Sequence, residues 1–139
     1  MNKNIDYNKL NIGDRLIRTK GGILSKHHVI YAGFWENQHL IAENQNGFGV
    51  RYITLNEFLN EGKVTDIEYY NYNENSQIEI INRVNTKIKN NTKYHLTKYN
   101  CEHFVNEILT GVAESKQIKI GIAVAIGVLV GIYAFKKNK

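Results

Sequence analysis

The chain has 139 residues, enough for one compact domain and short for two. Its formal net charge is +5, but residues 1–115 balance 13 Lys plus Arg against 13 Asp plus Glu; the five remaining lysines (Lys116, Lys119, Lys136, Lys137, Lys139) follow with no acid among them, so the body is neutral and lacks the basic face of a nucleic-acid-binding domain. Cys101 is the single cysteine, which excludes an intrachain disulfide and every multi-cysteine zinc pattern.

The first residues, Met1 to Asp6, lack the apolar run of a secretory signal, so a cytosolic, reducing setting for the thiol is the expectation. Arg15 to Thr19 and Lys26 to Phe34 read as strands, the second rich in β-branched and aromatic residues. A turn near Phe34 and Trp35 leads into a third strand, His39 to Glu43, which forms a hairpin with the second. Gly49 to Thr54 is a fourth strand, and Thr54-Leu55-Asn56-Glu57 is a capping box that opens a short helix. Val64 to Tyr70 reads as another strand. Ser76-Gln77-Ile78-Glu79 is a second capping box, followed by Ile81, Val84 and Ile88 at helical spacing.

The last element before the tail has the clearest periodicity. Cys101, Phe104, Val105, Ile108 and Leu109 fall on one apolar stripe that ends near Gly111, a helix with the thiol in its first turn. Beyond it, Ile120 to Phe135 contains nothing but Gly, Ala, Val, Ile, Leu, Tyr and Phe. At about 1.5 Å per residue this run covers roughly 24 Å, and flanking lysines that snorkel extend it toward a ~30 Å hydrocarbon core. The expected organisation is a soluble domain over 1–115 and a Lys-flanked transmembrane helix with a short basic tail over 116–139. The helix reads as a single-pass C-terminal anchor, with the domain in the cytoplasm. Ala123, Gly127 and Gly131 recur every fourth residue, a spacing that suits a homodimer through close helix approach.

Two residue types could carry chemistry. A thiol at a helix N-terminus feels unsatisfied N–H groups and the positive end of the macrodipole, which favour thiolate. The alternative is that Cys101 is a small buried hydrophobe. Of the five histidines, His27 shares one strand face with Val29 and Tyr31, while His28 shares the other with Ile30. The expected hairpin brings His39 back almost opposite His27, as a base with its orienting partner or as a structural pair. Three histidines and one thiol could also hold zinc, but no acidic ligand or tight ligand pair supports a metal, and no cofactor is implied. His103 points away from Cys101 and reads as structural, and His95 as solvated.

Asn100-Cys101-Glu102-His103-Phe104-Val105 resembles the nucleophile motif of the lecithin:retinol acyltransferase family. His27-His28-Val29-Ile30-Tyr31-Ala32-Gly33 is similar to that family's histidine strand, His39 lies at the matching distance for its second active-site histidine, and Ile12-Gly13-Asp14-Arg15-Leu16-Ile17 resembles its Gly-Asp opening strand. The resemblance spans essentially the whole chain in the same order. It implies an α+β, circularly permuted papain-like domain with an antiparallel sheet. It implies further that Cys101 attacks an acyl ester, His27 acts as base and then acid, and His39 orients His27, with the neighbouring His28 as the other candidate base. The expected activity is that of a phospholipase or acyltransferase on glycerophospholipid acyl esters through a Cys101 thioester, with the bilayer as partner and substrate source. Two alternatives are a papain-like cysteine peptidase or amidase and a non-catalytic membrane adaptor.

Overall fold

The computed structural model describes residues 5–20 and 25–137; the readings placed on Met1 to Asn4 and on Lys139 lie outside them. Five strands, β1 (Arg15–Thr19), β2 (Lys26–Trp35), β3 (Gln38–Gln45), β4 (Gly49–Thr54) and β5 (Val64–Glu68), make one antiparallel sheet in the order β4-β3-β2-β1-β5. The helices are α1 (Leu55–Asn60), α2 (Glu74–Lys89), α3 (Cys101–Thr110) and α4 (Lys116–Lys137). This is the α+β class read from the sequence, an antiparallel sheet followed by an apolar C-terminal helix.

The central strand β2 is apolar on both faces because both are covered. Val29 and Tyr31 join Leu16, Ile41, Leu55 and Phe58 in a core under α1, whereas Ile30 joins Ala42, Ile80, Val84, Phe104 and Val105 in a second core under α2 and α3. Full burial of each large side chain contributes about 1.5–3 kcal/mol. α1 starts at the expected capping box, with the Glu57 N–H donating to Thr54 and the Thr54 N–H to Glu57.

Three boundaries differ from expectation, each for a local reason. α2 begins two residues before Ser76, because the Asn73 side chain accepts from the Ser76 N–H and is the cap. β5 stops at Glu68 because the Tyr70 N–H donates to the buried Asp14 carboxylate at 2.9 Å, which takes the chain out of the ladder. That aspartate follows Gly13, whose φ of +98° and whose distance of 2.5 Å from a built Cβ to the Tyr72 ring leave no room for a side chain.

The third difference matters for function. β2 continues to Trp35, and the hairpin turns at Glu36 and Asn37, both with positive φ (49° and 63°), the mark of a type I′ turn. A bulge between Tyr31 and Gly33, where φ reaches +105°, shifts the register once more. His39 therefore pairs with Phe34 rather than lying across from His27. At about 3.3 Å per residue the seven positions between Phe34 and His27 separate the two histidines by roughly 23 Å.

α4 runs for 22 residues, about 33 Å, and is long and apolar enough to cross a membrane. None of its residues is buried, and Gly127 and Gly131 have nothing packed against them. Its first turn is nevertheless tied to the domain. Ser115, itself buried, accepts from the Ile118 N–H and opens the helix, and the Gln117 N–H donates to Glu102 at 3.0 Å.

Phe104 is fully buried and fixes α3 on β2. Phe104→Ala is expected to cost about 3–5 kcal/mol, against less than about 0.5 kcal/mol for the exposed Ile78→Ala, read as thermal midpoints of the full chain in detergent micelles.

Candidate active site

α3 presents the thiol. Asn100 caps the helix, its side chain accepting from the N–H groups of Glu102 and His103, and the Asn100 N–H donates to His103 Nδ1 at 3.2 Å. His103 is thus half of a capping box, and Cys101 is the first helical residue. The Cys101 Sγ lies 3.6 Å from the Lys26 carbonyl at the start of β2, so α3 meets the sheet beside His27.

His27 is fully buried and held from one side. Its Nε2 lies 2.8 Å from Glu43 Oε2, on the adjacent strand, and the other oxygen of that carboxylate accepts from Arg51 at 2.9 Å. With Nε2 committed to Glu43, the interaction with the thiol falls to Nδ1, which makes no full hydrogen bond among the described residues. The sulfur in this geometry is directed at the Lys26 carbonyl instead.

The electrostatics favour charge separation. Burial alone lowers the imidazole's pKa, but the hydrogen bonds and charges of Cys101 and Glu43 outweigh it and raise His27 above its ordinary value. Burial pushes the Cys101 thiol up, and the His27 imidazole, the His28 backbone N–H and the Lys20 ammonium together bring it below its ordinary value. Glu43 is likewise held down, against burial, by His27 and Arg51. Each shift stabilises the same state, thiolate beside imidazolium beside carboxylate.

The structure separates the adjacent histidines. His28, on the opposite strand face, accepts from Arg15 Nε at 2.9 Å through Nδ1, and burial together with the Arg15 charge holds its pKa down to about 3. It stays neutral and acts as an acceptor for arginine. His39 lies at the far end of the hairpin, where Nδ1 meets the Tyr31 hydroxyl at 2.8 Å and the ring sits among Tyr7, Tyr31 and Phe34. The expectation that His39 returns almost opposite His27 is corrected by this register, and the carboxylate of Glu43 meets the His27 ring instead. His95 is exposed.

A cleft of about 580 Å³ opens over the sulfur, lined by Lys20, Lys26, Tyr94, Leu96, Cys101 and Ile118 among others. Burial and the nearby Cys101 charge raise the Tyr94 phenol, so it remains an O–H donor at neutral pH. Glu43, Tyr94 and Ile118 were not singled out from sequence. The hairpin turn at Glu36 and Asn37, together with the Gly33 bulge, brings Glu43 within hydrogen-bond reach of His27.

The rate of Cys101 alkylation by iodoacetamide is expected to rise with pH through a thiol pKa below 9.0. Glu43→Gln removes the carboxylate that keeps the proton on His27, which weakens the imidazolium's hold on the thiolate and moves the midpoint up. The same midpoint in both proteins would contradict the coupling.

The family model described as lecithin retinol acyltransferase matches residues 8–114, a span that contains His27, Glu43 and Cys101. The chain is 38% identical over 69 residues to phospholipase A and acyltransferase 3 of Homo sapiens and, to the same extent, to that of Pongo abelii; each alignment covers 44% of this chain and 42% of the relative, so the chain spans less than half the length of either. No solved structure matches. By the extent of the family match, which runs from before β1 to beyond α3, the chain belongs to the lecithin retinol acyltransferase family.

Proposed function

We propose that this protein is a membrane-anchored, thiol-dependent phospholipase or acyltransferase that acts on glycerophospholipid acyl esters, with Cys101 as nucleophile, His27 as acid and base, and Glu43 as the group that orients His27. The observation that carries this reading is one buried imidazole hydrogen-bonded to a paired carboxylate and coupled to a thiol, which itself lines a cleft bordered by the first turn of the apolar helix. Membership of the lecithin retinol acyltransferase family and the printed names of the relatives support the reaction class.

In the first half-reaction the Cys101 thiolate attacks the acyl carbonyl carbon. The oxyanion that forms is met by donors available at the site, the Cys101 N–H at the helix start and the Tyr94 hydroxyl. The tetrahedral intermediate collapses with rupture of the carbon–oxygen bond, and the proton on His27 passes to the leaving glycerol oxygen, giving lysophospholipid and an S-acyl Cys101. In the second half-reaction neutral His27 takes a proton from water, an amine or an alcohol as that acceptor attacks the thioester, which releases the acyl product and restores the thiolate–imidazolium pair. Glu43 keeps its charge throughout and stabilises the imidazolium.

The anchor supplies proximity. A helix that enters the bilayer beside the cleft holds the thiol where acyl esters are concentrated, without adding a contact to the reacting atoms. Lys119, Lys136 and Lys137 at its ends suit the interfacial headgroup layer. Self-association through Ala123, Gly127 and Gly131 belongs to the same proposal.

Cys101→Ala is expected to abolish both acyl release from phosphatidylcholine and the hydroxylamine-sensitive acyl adduct. His27→Gln should lower turnover by about 10²–10⁴-fold, while His39→Ala should leave it within about threefold. Turnover that survives Cys101→Ala would dismiss the nucleophile. For the anchor, Val124→Arg combined with Leu129→Arg places two charges mid-helix at about 2.5–3.5 kcal/mol each. The doubly substituted protein should leave the membrane fraction in a flotation assay, and retention would contradict a spanning α4.

A further inference from the structure

Glu102, next to the nucleophile, is a carboxylate only 4% exposed, and the reaction above makes no use of it. A buried carboxylate is costly unless its oxygens are met by donors. Oε2 receives the Ser115 hydroxyl at 2.7 Å, the Gln117 backbone N–H at 3.0 Å and the Gln117 side-chain amide at 3.4 Å, while Oε1 stands 3.8 Å from the Arg15 guanidinium. The donors to Oε2 all come from the residue that caps α4 and from its first turn. One carboxylate thus joins the first turn of the nucleophile's helix to the first turn of the apolar helix.

Gln117 also reaches the strand that carries the base. Its Oε1 accepts from the Lys26 N–H at 3.1 Å and its Nε2 donates to the Lys26 carbonyl at 3.5 Å. The same carbonyl is the one toward which the Cys101 sulfur points. When the thiol ionises it can no longer donate there, and an unopposed carbonyl dipole beside a thiolate is repulsive. The Gln117 amide is the donor that answers it.

The geometry points to Gln117 as a positioning residue of the catalytic pair: with Glu102 and Ser115 it clamps the first turn of the anchor helix to both the Cys101 helix and the His27 strand, and it supports the thiolate by satisfying the Lys26 carbonyl. The clamp rests on the reading of Cys101 and His27 as nucleophile and base. It makes the start of α4 part of the site, and it sets how the cleft faces the surface that α4 enters.

The test uses the full chain in detergent micelles, as wild type, Gln117→Ala and Gln117→Met. Gln117 is half-buried, so neither change empties the core, and methionine keeps the length while removing the amide. The expected result for both variants is a shift of the Cys101 alkylation midpoint up by about half to one pH unit, the equivalent of one lost hydrogen bond. With a water-soluble short-chain ester, kcat at neutral pH should fall about 3–10-fold while KM stays within about twofold. An unmoved midpoint in both variants overturns the clamp, whether or not the thermal midpoint falls, because a merely structural glutamine would change stability alone. A midpoint that moves with Gln117 in a wild-type protein that turns over no ester upholds the clamp and removes the esterase reading instead.

Discussion

The rest of the site depends on one buried imidazole with Nε2 on a carboxylate and Nδ1 left open beside a thiol. His27 and Glu43 are both fully buried, and a pair of that kind survives only when each partner's hydrogen-bonding capacity is met. Arg51 completes Glu43 from the strand beside it. What is left over is Nδ1, a single polar atom with no other claim on it, next to the only sulfur that can ionise. The direction of each shift follows from this arrangement rather than from exposure, since burial by itself opposes the charged form of all three groups.

The fold's contribution is to hold that line of atoms from three separate elements. β2 supplies the imidazole, β3 the carboxylate and α3 the thiol, and the two cores on either side of β2 keep the strand from shifting. A second polar line runs along the opposite face, from His28 through Arg15 to Glu102 and on to the first turn of α4. The two adjacent histidines are therefore chemically unlike despite their proximity in the chain. Neighbouring anions raise the pKa of one against its burial, and burial beside an arginine lowers that of the other.

Much of this could be read from the amino-acid order. Period-two alternation separated His27 from His28, helical spacing placed Cys101 in a first turn, and an uninterrupted apolar run marked α4. The expected strands matched at β1 and β4. The position of His39 was misread because it depends on hairpin register, a sum of turn position and bulge. A two-residue turn at Glu36 and Asn37 together with the Gly33 bulge moves His39 to the far end and brings Glu43 back toward His27. Family spacing pointed to the histidine twelve positions on, and the expected turn near Phe34 and Trp35 lay too early to bring in the glutamate. The ties between Glu102, Ser115 and Gln117 had no sequence signal, since they join residues that no periodicity relates.

The central claim is that the proton of this pair rests on nitrogen rather than sulfur. The most direct measurement is a pH titration of the His27 ring by NMR in the full chain, repeated in Cys101→Ser. The account predicts that His27 stays protonated above pH 6.5 in the native protein and titrates lower once the thiol is gone. A ring that titrates at or below 6.5 in both proteins would contradict it.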